Sequence, residues 1–214
     1  KVPVIGFAGA PFTLASYLIE GGNSKIFSNL MKMLLDEPSA AHGLMEKLSD
    51  MTIDYLNYQI ENGAEIVQLF DKWAGILNVD EFTELVLPYV SKIFSSLNRR
   101  GEVPTVYYIN GSSHLLSKMS ETGADVISLD WRSDIGDVRK SIGDKVALQG
   151  NLNPNVLFCQ QSVIQDKVAD ILNKYGPESG HIFNLGHGID KSVNPENLLY
   201  MIRSVKKLSQ RKQV

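Results

Sequence analysis

Short apolar blocks punctuate this chain, each followed by small or polar residues and then by a longer stretch whose apolar positions fall three or four apart. The blocks are Val4 to Ala8, Glu65 to Phe70, Pro104 to Ile109, Asp125 to Leu129, Lys145 to Leu148 and His181 to Leu185. Their length, their β-branched and aromatic content and the turns that bound them predict strands. Strands that alternate with helices predict a parallel sheet covered on both faces.

The helical stretches carry their own start and stop signals. Pro38 stands where a first helical residue would, Leu44, Leu48, Met51, Tyr55 and Ile60 follow as one expected buried face, and Asn62-Gly63 is the stop. Asp80 is the expected cap of a helix through Phe82, Leu85, Val90 and Phe94, with a kink at Pro88, a basic end at Arg99 and Arg100 and Gly101 as the stop. The last helix opens at Asn194-Pro195 and is expected to bury Leu198, Ile202, Val205 and Leu208.

Length changes this picture. Two parallel architectures contain such elements, an open doubly wound sheet and a closed (β/α)8 barrel, and a closed barrel typically needs about 250 residues. The 214 residues here supply six units. About two units are therefore expected to be missing, and the abrupt start at Lys1, without a Met, points to the N-terminal end. A single domain spanning 1–214 follows from the absence of any linker, repeat or low-complexity stretch.

Composition mostly excludes. A net charge of −3 and a pI near 5.8 leave no electrostatic footprint for nucleic acid; the basic run from Arg203 to Lys212 reads as the solvated face and end of the last helix. The one cysteine, Cys159, forms no internal disulfide and cannot supply a cysteine-based zinc site, so a reducing cytoplasmic setting without a bound metal is expected. No apolar run approaches the ~20 residues that span a bilayer. Val2 to Ala8 reads as a strand, so no signal peptide is expected.

In parallel α/β folds, chemistry gathers at the C-terminal ends of the strands. Those ends read Gly9-Ala10-Pro11, Asp71-Lys72-Trp73, Asn110-Gly111-Ser112-Ser113, Asp130-Trp131-Arg132, Gln149-Gly150-Asn151 and Gly186-His187-Gly188. His187, between two glycines, is either a ligand-facing group or a turn histidine. Asp71 is either a general acid or base or a helix cap. Asp130 reads as the partner of Arg132 in an ion pair, Tyr17 as an aromatic that would ordinarily be core, and His42 and His114 as structural or exposed. Gly6, Gly9, Gly21 and Gly22 have the spacing of neither a P-loop nor a dinucleotide fingerprint, and instead allow close approach of backbone to a flat ligand or a packed neighbour.

Five blocks in these segments resemble the uroporphyrinogen decarboxylase family. They are Gly6-Phe7-Ala8-Gly9-Ala10-Pro11-Phe12-Thr13-Leu14 continuing to Tyr17 and Glu20-Gly21-Gly22; Gln68-Leu69-Phe70-Asp71; Leu129-Asp130-Trp131; Leu148-Gln149-Gly150-Asn151-Leu152-Asn153-Pro154; and Asn184-Leu185-Gly186-His187-Gly188. They fall in the family's order across essentially the whole chain. The resemblance implies a (β/α)8 barrel, here lacking its first units, that acts as a cofactor-free carboxy-lyase, converting the four acetate arms of uroporphyrinogen to the methyl groups of coproporphyrinogen, usually as a homodimer.

Loss of CO2 from an acetate arm needs an electron sink, which the pyrrole becomes on protonation at its α-carbon. The site must stabilise that cation, hold many carboxylates and return a proton to the methylene carbon. The resemblance implies that Tyr17 and His187 contact the substrate and take part in catalysis, with His187 lining the cleft near Tyr17 and positioning a carboxylate. It also implies that Phe7, Phe70, Asp71 and Lys72 line the substrate site. The family's arginine-containing loop and pyrrole-binding Asp would lie upstream of Lys1. Lys72 departs from the pattern, which usually has a small hydroxyl residue there; it is expected to face the mouth and to meet Asp71 or a substrate carboxylate. Two other readings are a corrinoid- or thiol-linked methyltransferase of the same fold, whose zinc-binding cysteines this chain lacks, and a non-catalytic tetrapyrrole-binding remnant.

Overall fold

The structure, a computed structural model, describes residues 2–22, 24, 26–98 and 102–210. Six strands run in chain order through one sheet: β1 (Ile5–Gly9), β2 (Ile66–Asp71), β3 (Thr105–Ile109), β4 (Val126–Ser128), β5 (Ala147–Gln149) and β6 (His181–Ile182). The sheet is parallel, as the β1/β2, β2/β3 and β5/β6 registers show. Each strand falls on an expected block, with ends that differ by up to three residues. The chain divides into two compact units, residues 1–127 and 128–214.

In the first unit, β1 to β3 are covered by α1 (Pro11–Glu20), α2 (Ser28–Asp36), α3 (Pro38–Glu61), α4 (Val79–Leu85), α5 (Leu87–Ser96) and the single turn α6 (Leu116–Met119). Side chains alternate across the pleat: Val67, Leu69 and Asp71 of β2 are buried, whereas Phe70 reaches the opposite, open face. A side chain at Gly6 of β1 would collide with Gln59 of α3, so glycine there permits close helix packing.

α3 begins at Pro38 and ends before Asn62, as expected, but buries another face. Ala41, Met45, Leu48, Ser49, Thr52, Leu56 and Ile60 are inside, while Met51 and Tyr55 are exposed and Leu44 is half-buried. The true stripe includes Ser49 and Thr52, small polar residues that a hydrophobic count passes over; the Ser49 hydroxyl donates to the Met45 carbonyl within the helix.

The expected single helix around Pro88 is two. The cap is Asn78, not Asp80: the Asn78 side chain accepts from the Glu81 N–H while the Glu81 carboxylate accepts from the Asn78 N–H. Asp80 instead lies in the first turn. The chain breaks at Val86, and Pro88 opens α5, where its missing N–H costs nothing. Arg99, Arg100 and Gly101 lie outside the described residues.

The second unit holds β5 and β6 with α7 (Ile135–Ile142), α8 (Gln161–Tyr175) and α9 (Pro195–Ser209). Asp134 caps α7 by accepting from Gly136 and Asp137. α9 starts at the expected Asn194-Pro195, but buries Met201 and Ser204; Leu198, Val205 and Leu208 are half-buried and Ile202 is exposed. The helix lies on α8 along a narrow seam, with Tyr200 donating to Gln165 and Asn197 to the Leu157 carbonyl.

Candidate functional site

In the first unit the strand ends build an aromatic platform above a buried carboxyl. Phe7 and Phe70 meet edge to face at 5.8 Å, and Phe70 meets Tyr108 at 5.9 Å. The parallel registers produce this row, because Phe70 stands opposite Gly9 of β1 and Tyr108 of β3. Phe7 is 60% and Phe70 41% exposed, leaving two aromatic rings open to a flat ligand.

Tyr17 is not core, as an aromatic in a helix ordinarily would be. It is half-exposed near the end of α1 and packs its edge on Trp73 at 6.4 Å. Trp73 also meets Phe27 at 4.8 Å. The helix is set by Pro11 at its start and by Gly21 at its end, whose left-handed conformation (φ 68°) lets its N–H return to the Tyr17 carbonyl.

Asp71 is neither a helix cap nor exposed at the mouth. One residue beyond Phe70, it points to the helix-covered face and is fully buried. The Thr13 hydroxyl donates to its Oδ1 at 2.6 Å and the Tyr107 hydroxyl to its Oδ2 at 3.0 Å. Burial pushes its pKa up to about 6, against the lowering effect of hydrogen bonds from Thr13, Tyr107 and the main chain at Ala74 and Thr13. Tyr107 is raised in turn, first by its own burial and then by the Asp71 charge.

The expected contact between Lys72 and Asp71 is not formed. Both Asp71 oxygens are engaged by hydroxyls, and the Lys72 ammonium sits over Trp73, 4.5 Å from the ring centroid. Asp71 ends β2 with its side chain buried, whereas Lys72 lies in the bend that follows, where the indole attracts the cation. Lys72 remains exposed, so its charge is available to a carboxylate.

Three polar atoms near these strand ends, Trp73 Nε1, Asn110 Oδ1 and Ser112 Oγ, are buried without a hydrogen-bond partner among the described residues. His42 bonds Tyr89, and His114 bonds the Leu77 carbonyl; both are structural, as expected.

In the second unit, Asp130 is buried and pairs with Arg132 at 2.5 Å, also accepting from the Arg132 N–H at 2.8 Å. The Arg132 guanidinium lies over Trp131. Asn151 donates to the Asp130 and Ser133 carbonyls, closing the turn. A Cβ at Gly186 would lie 2.3 Å from the Trp131 nitrogen, so only glycine lets these loops touch. The adjoining His187 is exposed, and its Nδ1 accepts from the Gly188 N–H. In the neutral ring the proton is then on Nε2, which is left as a donor.

The residues that sequence reasoning passed over are Thr13, Tyr107 and Trp73. Thr13 and Tyr17 are one helical turn apart and so share a face of α1, the one local signal that linked them. Tyr107 carried no signal, since its block reads only as a strand.

Comparison with known proteins places these residues in a family. The model for "Uroporphyrinogen decarboxylase (URO-D)" matches residues 1–208. Uroporphyrinogen decarboxylases from Hydrogenovibrio crunogenus and Shewanella piezotolerans are each 46% identical over 212 residues, covering 98% of this chain. The chain spans 60% of the length of these relatives. Among solved structures, a methyltransferase from Methanosarcina mazei superposes with a TM-score of 0.81 at 22% identity, over 96% of this chain and 59% of its own. Dihydropteroate synthase from Xanthomonas albilineans superposes at 0.57 and 12% identity, over 97% of this chain and 68% of its own. At these identities the structural likeness speaks for the fold alone.

Proposed function

The chain belongs to the uroporphyrinogen decarboxylase family, and on that premise we propose that the protein it forms part of is a carboxy-lyase removing CO2 from the acetate arms of uroporphyrinogen to give coproporphyrinogen. The observation that carries this reading is the open aromatic row of Phe7 and Phe70, together with Tyr17 and the exposed ammonium of Lys72, which both meet Trp73. A pyrrole with anionic arms asks for this combination: aromatic rings against its face, and a cation and hydroxyl for its carboxylates.

We assign substrate contact to Phe7, Phe70, Tyr17 and Lys72 in the first unit. His187, in the second, holds a substrate carboxylate through its Nε2–H, and Tyr17 and His187 are both assigned to the catalytic step. Asp71 serves the site from beneath. The pyrrole protonated at its α-carbon is the electron sink for CO2 loss, so the reaction needs no cofactor. The wider protein is read as a cytoplasmic homodimer with one barrel domain that includes residues 1–214. Among the described residues, no helix is long and apolar enough to cross a membrane.

The full-length protein supplied with uroporphyrinogen under reducing conditions should yield partially decarboxylated intermediates and then coproporphyrinogen, followed chromatographically after oxidation to the porphyrins. Unchanged substrate refutes the proposal.

A further inference from the structure

Asp71 raises a question that its surroundings answer. A carboxyl between two substrate-facing residues, Phe70 and Lys72, would be expected to reach the substrate too. Yet it is fully buried, and among the described residues the hydroxyls of Thr13 and Tyr107 donate to its two oxygens, with the main-chain N–H groups of Ala74 and Thr13 also holding its charge. Each of its two oxygens is thus met by a hydroxyl of this chain.

These bonds converge from three elements. Thr13 lies on α1, Tyr107 on β3, and Ala74 on the turn after β2. Thr13 has a second bond: its oxygen accepts from the Trp73 N–H at 3.2 Å while its hydroxyl donates to Asp71. A relay from Trp73 N–H through Thr13 to Asp71 therefore clamps the β2 turn to α1, and chained bonds of this kind strengthen one another. Tyr17, one turn beyond Thr13, leans on the same Trp73 ring that carries Lys72.

We propose that Asp71 is the positioning residue of the first unit's site, fixing Tyr17, Phe70, Trp73 and Lys72 relative to one another through Thr13 and Tyr107 without itself touching substrate. This rests on the reading that those residues meet the substrate. Misplacement of reacting groups by about 1 Å can cost on the order of 10²-fold in rate, so a clamp of this kind has kinetic consequences although it lies beneath the surface.

The experiment compares Asp71→Asn, Thr13→Val, Tyr107→Phe and Thr13→Ser in the full-length protein. Turnover of uroporphyrinogen is measured together with peptide-resolved hydrogen exchange over residues 11–20 and 71–77. Asp71→Asn and Thr13→Val should each lower kcat by about 10- to 100-fold with little change in KM. Combining Asp71→Asn with Thr13→Val should be no worse than the poorer single variant, because both break one relay. Thr13→Ser, which keeps the hydroxyl, should restore most activity, and exchange should quicken in both peptides in the damaging variants only.

A loss in Asp71→Asn with wild-type kinetics in Thr13→Val and Tyr107→Phe would mean direct substrate contact and overturn the proposal. Wild-type kinetics throughout, with lowered melting temperature alone, would make Asp71 merely structural and overturn it equally. If the unaltered protein does not turn over uroporphyrinogen, the decarboxylase reading fails by itself. The exchange measurement still decides the clamp: unchanged protection in both peptides rejects it.

Discussion

Asp71 shows how one residue carries a pH dependence whose sign follows from burial. Its carboxyl titrates near 6 in the fold against 3.8 as the ordinary value, so the folded state holds the proton more tightly than the unfolded one. This contribution to stability is complete below about pH 4 and is lost as pH rises through 6, a change of about 3 kcal/mol for a shift of that size. Tyr107 is the one titratable group among its partners, and Lys72 turns away to Trp73. Asp71→Asn cannot ionise, so its stability relative to the wild type should improve by up to that amount between pH 4 and 8, read from urea midpoints at each pH. His187 makes a different prediction. Its Nδ1 is occupied by the Gly188 N–H, which leaves the ring a positioning donor. His187→Asn retains a donor amide, so turnover should fall by about tenfold but persist. A collapse by the ~10²–10⁴-fold typical of a lost general acid, with substrate binding unchanged, would instead assign it proton transfer.

At the scale of elements, caps and breaks decide more than propensity. The reciprocal bonds between Asn78 and Glu81 satisfy two donors at the start of α4, whereas Asp80 only adds charge to the first turn. Asn78→Ala should therefore cost about 1 kcal/mol of stability, and Asp80→Ala only a few tenths, compared by thermal or urea unfolding. Equal costs would show that the cap geometry is not what starts this helix. The faces of α3 and α9 make a related point. Their limits were legible from Pro38, Asn62-Gly63 and Asn194-Pro195, because caps act through their own neighbours. Their buried faces were not, because Ser49, Thr52 and Ser204 are polar and become interior only when a neighbouring layer closes over them.

At the scale of the molecule, the chain spans 60% of the length of its curated relatives. A polypeptide limited to these 214 residues should turn over uroporphyrinogen at least about 10²-fold more slowly than the full-length protein. The resemblance assigns carboxylate-clamping and cation-stabilising groups to the relatives' remaining length, and each preorganised group of this kind is worth about that factor. Parallel assays of the two proteins at equal concentration check it, and comparable rates would place all the required groups within these residues.

The sequence by itself determined the alternation of strand and helix, the parallel sheet and the family. Strand blocks, capping residues and strand-end motifs are local patterns that survive in a linear reading. Tertiary structure alone decided which atoms meet. Thr13 and Asp71 are 58 positions apart and are joined only when α1 packs over the end of β2. Tyr107 reaches Asp71 only in the β2/β3 register that sets Leu69 beside it. Lys72 parts from its neighbour because the chain leaves β2 after Asp71 and an indole waits at the bend. Periodicity reports which way a residue faces; the partner it finds there depends on register and packing that no short stretch of chain contains.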